Sequence, residues 1–369
     1  MRFFKTIGLN LMDIGMQTHK KYLGLLLLLS TQLHAQPITV TGTHLITPHH
    51  PAPHLLQSQA IEPATPLMAV KLSDTAKHAL QKRLQQHTLL KAPSPQPIYP
   101  RKIDLGMNDV PVLNQAPFGT CVTFAVTAAI DAAIGQGDYV SQLCQLQLGN
   151  YLARTGYIPS GWDGTLGQHV LSNITTFGLI TKKNESHEGC GGLTTYPEGD
   201  DWMPPSGEMS VEEFHNLSFN TTNYGVYWQM LLEPNQAFSK RYQPNKTLDI
   251  IKSALNKGDR VVIGSLLADV DRGIAGAVGH HKSGLDTWVL TPDIMRDLFV
   301  NPSSVENGHE MVVIGYDDDA TAIDTDDKRH KGLLKLRNSW GAARGDKGDF
   351  YMTYDYFMTF AVEAYSVGQ

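Results

Sequence analysis

Along the first half of the chain apolar residues recur at helical spacing, and towards the C-terminus they recur in short runs or in alternation. Val122, Ala125, Ala128, Ala129 and Ala132 fall on one stripe, which predicts a helix with Thr120 as its N-cap and Cys121 in its first turn. Two more helices are predicted over 139–151 (Leu143, Leu146, Leu148) and 166–177 (Val170, Leu171, Ile174). A short amphipathic helix over 248–255 closes at Lys257-Gly258, and another short one is predicted at 292–298. The runs 261–266, 311–316, 333–337 and 350–354 read as strands, the first of them buried. Between these elements, 184–246 is irregular and rich in Gly, Pro and Asn, with Trp202, Tyr224, Tyr227 and Trp228 to pack the loops down, and 268–305 is a second long excursion. There is no internal repeat. Helices early and strands late predict an α+β protein of two lobes.

The N-terminal third departs from this pattern. Lys20-Lys21 precede the apolar run 22–29, and Leu33-His34-Ala35 places a small residue before Gln36, which reads as a signal peptide over 1–35. Eight apolar residues are too few to span a bilayer, so stable membrane insertion is not expected. Met12 and Met16 are alternative starts. Ten of the 20 prolines fall between Pro37 and Pro100, a density that resists regular packing. One island, 73–90, has Leu72, Ala76, Leu80, Leu84 and Leu89 near helical spacing, with Ser73 or Asp74 as cap. Its apolar face needs a partner, so residues 36–100 are expected to form a pro-segment that covers a site further on. A flexible linker is the alternative.

Length and charge narrow the choices only slightly. A chain of 369 residues has room for a large core, and a net charge of −6 with 30 basic residues leaves no basic footprint for a nucleic-acid partner. The chemistry is more telling. Cys121 follows a Pro/Gly turn, and a thiol at a helix N-terminus faces unpaired backbone N–H groups that favour the thiolate; a small buried core thiol is the competing reading. A nucleophilic cysteine needs a base and a group to hold that base. Of the seven histidines beyond it, His309 stands directly before the apolar run 311–316, whereas His169, His187, His215, His280, His281 and His330 lie in polar or glycine-rich surroundings. Asn338 ends the alternating run 334–337 and is followed by Ser339-Trp340-Gly341. Its amide oxygen accepts an imidazole N–H, and an indole laid over that contact keeps water off it.

At these places the chain resembles the papain-like cysteine peptidases. Gln115 lies six residues before Cys121, Gly308-His309 precedes an apolar run ending Gly315-Tyr316, and Leu336-Arg337-Asn338-Ser339-Trp340-Gly341 is followed by Gly345, Gly348 and Phe350. Weaker similarities lie at 139–143, at Gly178-Leu179-Ile180, at Tyr196-Pro197 and at Lys257-Gly258. Gly161-Trp162-Asp163-Gly164-Thr165 falls where that family has a glycine edge to its substrate cleft. The resemblance covers roughly residues 101–365. It implies a helical N-terminal lobe, an antiparallel sheet or barrel-like C-terminal lobe, and an active site in the cleft between them, with residues 101–369 as the catalytic domain. Cys121 is then the nucleophile, His309 its base, Asn338 the residue that orients His309, and Gln115 an oxyanion donor together with the Cys121 backbone N–H. Gly161, Gly164 and Trp340 line the substrate site.

The resemblance implies a secreted or periplasmic endopeptidase made as a zymogen. It would act as a monomer on proteins or peptides, be inhibited by its own pro-segment, and need no metal or cofactor. An acyltransferase of transglutaminase or deamidase type, and a non-catalytic exported binding protein, are the alternatives. By the same comparison Cys144 and Cys190 share the first lobe and are expected to form a disulfide, two free buried thiols being the alternative. Departures are plain. Phe118 replaces a cysteine, Val122 a tryptophan, and Arg344 a second tryptophan; the 29 residues from His309 to Asn338 imply an insertion. That insertion carries Asp317-Asp318-Asp319 and Asp324-Thr325-Asp326-Asp327, a solvated acidic hairpin tip with calcium binding as the alternative.

Overall fold

A computed structural model describes residues 36–46, 64–85, 99–199, 203–268 and 277–369. The expected signal peptide, Leu89 and Trp202 lie outside the described residues. Pro37–Gln369 forms one compact unit. Among the described residues no helix is long and apolar enough to cross a membrane.

In chain order the elements are β1 (Ile38–Ile46), β2 (Thr65–Leu72), α1 (Asp74–Gln85), β3 (Lys102–Asp104), α2 (Cys121–Ile134), α3 (Gln142–Arg154), α4 (Gly167–Phe177), α5 (Lys182–Glu188) and α6 (Val211–Leu217). There follow β4 (Tyr227–Leu232), α7 (Pro234–Ala237), α8 (Pro244–Asn256), β5 (Arg260–Leu267), β6 (Thr287–Trp288), α9 (Pro292–Val300), β7 (Asn307–Ile323), β8 (Arg329–Arg337), β9 (Asp349–Thr353), α10 (Tyr354–Phe360) and β10 (Ala361–Gly368). The fold is α+β, with α2 to α6 in one region and a large sheet in the other.

Local chemistry sets the helix ends. Ser141 caps α3 by accepting the Cys144 N–H, so that helix begins three residues later than expected. Ser210 and Glu213 form a capping box on α6, inside a stretch the sequence reading left irregular. Gly135 ends α2 in the left-handed region (φ 72°), returning its N–H to the Asp131 carbonyl. Helix α2 does start at Cys121, but Thr120 does not cap it with its side chain. The helix is buried on nearly every side, because β5, β7 and β10 pack on one flank and α3 and α4 on the other.

The sheet runs β4-β10-β5-β7-β8-β9-β6, and every pairing is antiparallel except β6 with β9. It is open along this path rather than barrel-like. Strand β7 is its spine and is far longer than the run 311–316 suggested. Its first half pairs with β5, its second half with β8, and β3 adds to it at 315–317. His309 therefore lies inside a strand paired with Ser265, not ahead of one.

The segment 36–100 differs most from expectation. Helix α1 forms where predicted, burying Ala76, Leu80 and Leu84 and packing on α9 and α10. But β1 and β2, which the proline count had argued against, form an antiparallel pair, and β2 joins β7 through Met68 opposite Gly308 and Ala69 opposite Asn307.

Candidate active site

Helix α2 presents Cys121 at its first residue, where backbone N–H groups of Glu310, Val122 and Cys121 itself favour the charged sulfur. Glu310 follows His309 on β7, so the start of the helix meets the strand that carries the imidazole. All three donors favour the thiolate, yet burial outweighs them and pushes the thiol pKa up to about 12. The sulfur is completely covered.

His309 is equally buried. Its Nε2 donates to Asn338 Oδ1 at 2.7 Å. That oxygen also accepts the Ser339 N–H at 2.7 Å, and because a backbone N–H can only donate, the oxygen is identified as the acceptor and Nε2 as the protonated nitrogen. Nδ1 is left as the acceptor and has no hydrogen-bond partner among the described residues. Trp340 stacks on the imidazole at 4.4 Å between ring centroids and 26° between planes, covering the His309–Asn338 contact as expected. Desolvation lowers the His309 pKa to about 4, a shift its bond to Asn338 only partly offsets.

Gln115 is held by the same segment. Its Oε1 accepts from Ser339 Oγ (2.7 Å), its backbone N–H donates to the Ser339 carbonyl (2.9 Å), and its Nε2 donates to the Phe118 carbonyl (2.8 Å). One amide hydrogen remains over. Thr120 Oγ1 bonds Tyr196 Oη, which donates to the Gln115 carbonyl, so the hydroxyl expected to cap α2 braces Gln115 instead. Ser339 is the contributor that the sequence reading passed over; its place between Asn338 and Trp340 was the available signal.

The hairpin β1–β2 lies against the glycines beside the site. Thr43 Oγ1 donates to Asp163 Oδ1 (3.3 Å), and a Cβ added to Gly119 would run into the same Thr43 oxygen. At Gly164 (φ 93°) an added Cβ would lie 2.8 Å from Val40 Cγ1 and 2.9 Å from Met68 Cγ. Gly161 and Gly164 are bridged to each other, and the hairpin lies against Gly164. His44 and Arg344 anchor it further, through Asn307 (2.7 Å) and Thr65 respectively. Arg344, one of the departures noted above, thus serves the hairpin.

The other departures have physical replacements. Phe118 is buried edge-on against Trp162 at 5.2 Å and Tyr196 at 6.0 Å. Cys144 and Cys190 are disulfide-bonded, with Cα atoms 5.1 Å apart, and Cys121 is free. The acidic stretch is not simply solvated: Asp317 pairs with Lys102, Asp318 with Lys252, and Asp319 with Arg101 and Lys331. Asp324 pairs with His330. Four of these carboxylates thus have basic side chains as partners, and of those partners Lys102 lies on β3, Arg101 just before it, and His330 and Lys331 on β8.

Residues 297–367 match the family model described as Peptidase C1-like family, a span that includes His309 and Asn338 and begins well beyond Cys121. No curated protein matches. Among solved structures the chain is similar to xylellain, a cysteine protease from Xylella fastidiosa (19% identity, 73% of this chain and 86% of that one, TM-score 0.47). It is similar also to digestive procathepsin L 3 of Tenebrio molitor larval midgut (17% identity, 79% of each chain, TM-score 0.44). A third is the bromelain protease from Ananas comosus in complex with the E64 inhibitor (17% identity, 73% of this chain and 99% of that one, TM-score 0.42).

Proposed function

We propose that this Peptidase C1-like chain is an exported cysteine endopeptidase, made with residues 36–100 as an inhibitory pro-segment. The observation that carries the reading is the relay from Asn338 to the unpartnered Nδ1 of His309, one residue along β7 from the backbone against which the Cys121 thiol rests. In the open enzyme Nδ1 takes the thiol proton and the sulfur attacks a peptide carbonyl carbon. Its oxygen becomes an oxyanion stabilised by the Cys121 N–H and the Gln115 amide. The imidazolium then gives its proton to the leaving amine, and water, deprotonated by His309, hydrolyses the thioester to acid and free thiol. Asn338 and Trp340 keep the imidazole in the required tautomer and plane. Gly161 and Gly164 form the backbone edge along which the substrate lies.

Two features support the zymogen and export readings. The hairpin lies against Gly164 and Gly119, where a substrate strand would otherwise run, and in this closed form burial keeps both thiol and imidazole uncharged at neutral pH. The Cys144–Cys190 bridge suits an oxidising compartment outside the cytoplasm.

The test is turnover of an unfolded protein substrate by the exported form. Cys121→Ala is expected to remove at least 99.9% of turnover, in line with the roughly thousandfold or greater loss typical when a nucleophile is deleted. Full activity in that variant rejects the mechanism. Incorporation of an added primary amine in place of hydrolysis would redirect it to acyl transfer.

A further inference from the structure

The two oxyanion donors of the proposed chemistry, the Gln115 amide and the Cys121 N–H, stand at opposite ends of a short loop. One hydroxyl group fastens both ends. Tyr196 Oη donates to the Gln115 carbonyl at 2.9 Å. A carbonyl only accepts, so that bond uses the single hydroxyl hydrogen of Tyr196. The 2.9 Å contact with Thr120 Oγ1 therefore runs the other way, with Thr120 donating to Tyr196. Thr120 directly precedes Cys121, and its carbonyl accepts the Phe124 N–H at 3.1 Å. Tyr196 thus joins the residue that carries the first donor to the residue whose peptide bond supplies the second.

The loop between them does not favour this shape by itself. Ala116 has φ 51°, a left-handed conformation that is unfavourable for any residue with a Cβ. Pro117 has no N–H with which to close the turn. Ser339 fixes Gln115 from one side, through the amide oxygen and the backbone N–H. Tyr196 fixes it from the other, through the carbonyl, and alone links it to Thr120.

The ring of Tyr196 is as firmly placed as its hydroxyl. It stacks on Trp162 with centroids 5.7 Å apart and 16° between planes, and meets Phe118 edge-on at 6.0 Å and Phe124 at 4.9 Å. Phe118 belongs to the loop, Phe124 to α2, and Trp162 lies between the bridged Gly161 and Gly164. Upstream in the same stretch, Cys190 is bridged to Leu193 and bonded to Cys144 on α3. Burial raises the phenol pKa, so the hydroxyl keeps its hydrogen at neutral pH.

We propose that Tyr196 is a positioning residue that sets the spacing of the two oxyanion donors through its bonds to Gln115 and Thr120. The proposal rests on the peptidase reading above. Donors stabilise an oxyanion strongly only when they are already aimed at the place where the charge forms. Loss of the Tyr196 hydroxyl frees the Gln115 carbonyl and the Thr120 side chain, and the donors no longer share a fixed frame. The thiol depends on other groups, namely His309 and the burial of the sulfur, so its own reactivity is left as it was.

The test is Tyr196→Phe in the exported form, read with two reagents for Cys121. A peptide aldehyde forms an S–C bond with the thiol, and its carbonyl oxygen, taking up the thiol proton, comes to rest between the donors. Iodoacetamide loses iodide from a saturated carbon and forms no oxyanion. The aldehyde inhibition constant is expected to rise by roughly tenfold or more, and kcat for a peptide substrate to fall by roughly the same factor. KM and the iodoacetamide labelling rate are expected to stay within about twofold of the parent. Thr120→Val should act in the same direction, and the two substitutions together should cost less than the product of their separate effects. Thermal unfolding confirms that each variant is folded, and Thr120→Val carries the test if Tyr196→Phe is not.

An unchanged aldehyde constant and kcat in the folded variant overturn the proposal and leave the peptidase reading standing. A labelling rate that falls in step with kcat also overturns it, because the hydroxyl would then act on the nucleophile. A parent protein that neither binds the aldehyde nor cleaves peptide rejects the reading beneath, and the proposal with it.

Discussion

Cys121 is pulled in opposite directions by its surroundings. Helix and strand N–H groups favour the charged sulfur, while complete burial favours the neutral one and wins, at a pKa of about 12. With His309 lowered to about 4, the covered pair at pH 7 is a thiol beside a neutral imidazole. Only roughly one thiol in 10⁵ is ionised at that pH, against a few per cent for an unperturbed cysteine. Alkylation of Cys121 in the full chain at pH 7 is therefore expected to run at least a hundredfold slower than in the unfolded chain. It should keep rising above pH 9, where an ordinary thiol has levelled off. A pH–rate profile of iodoacetamide labelling measures both, and a plateau by pH 8 in the full chain would refute this account. The residue identities were legible in the sequence because Gln115, Cys121, His309 and Asn338 each sit at a recognisable motif. The protonation states were not, since they depend on what lies over the site.

At the scale of elements, the hairpin and α1 act together. The hairpin lies against Gly119, two residues before the nucleophile, and α1, two residues after β2, is anchored through Arg83. That buried guanidinium donates to the Thr359 carbonyl at 2.7 Å and to the Ala237 carbonyl, and lies over the rings of Tyr242 (4.4 Å) and Phe238 (5.2 Å). Its pKa falls to about 10 through desolvation, so it stays charged at neutral pH. Arg83→Ala removes the cation and leaves two carbonyls buried without that donor, at an expected cost of about 3 kcal/mol. Hydrogen exchange should show faster exchange across 74–85 and 65–72 in this variant, and Cys121 labelling should accelerate with it. Unchanged labelling would mean that α1 does not secure the hairpin. Helix α1 was visible as a 3.6-residue repeat, whereas β1 was not recognised. Its run Ile-Thr-Val-Thr-Gly-Thr-His-Leu-Ile is rich in β-branched residues, but its partner strand begins 19 residues beyond its end and its sheet lies on β7.

For the molecule as a whole, the buried pair of Glu310 on β7 and Glu363 on β10 sets a pH dependence of stability. A carboxyl whose folded pKa is raised contributes stability that is complete below its unfolded pKa, near 4.3, and is lost as pH climbs through the folded value. Glu310→Gln mimics the protonated form at every pH. Its Tm relative to the parent is therefore expected to rise from pH 4.5 to pH 8, and differential scanning calorimetry across that range checks the sign. A difference that shrinks with pH would mean that Glu310 is ionised in the native state.

The sequence alone determined the α+β order of elements, the position of Cys121 at a helix start, and the candidates His309, Asn338 and Gln115, because helical and strand periods and short motifs are local properties of the chain. It did not reveal that Ser339 binds Gln115, that Phe118 packs on Trp162, that the Asp317–Asp319 carboxylates are paired with cations, or that two glutamates meet beside the nucleophile. Apart from the Lys331–Asp319 pair, each of those depends on groups 44 to 224 residues apart in the chain that only the tertiary fold brings together. The packing of β1 and β2 against Gly119, Gly164 and Gly308 is of the same kind. Burial by a distant segment has no local periodicity, and so only the tertiary structure decided it.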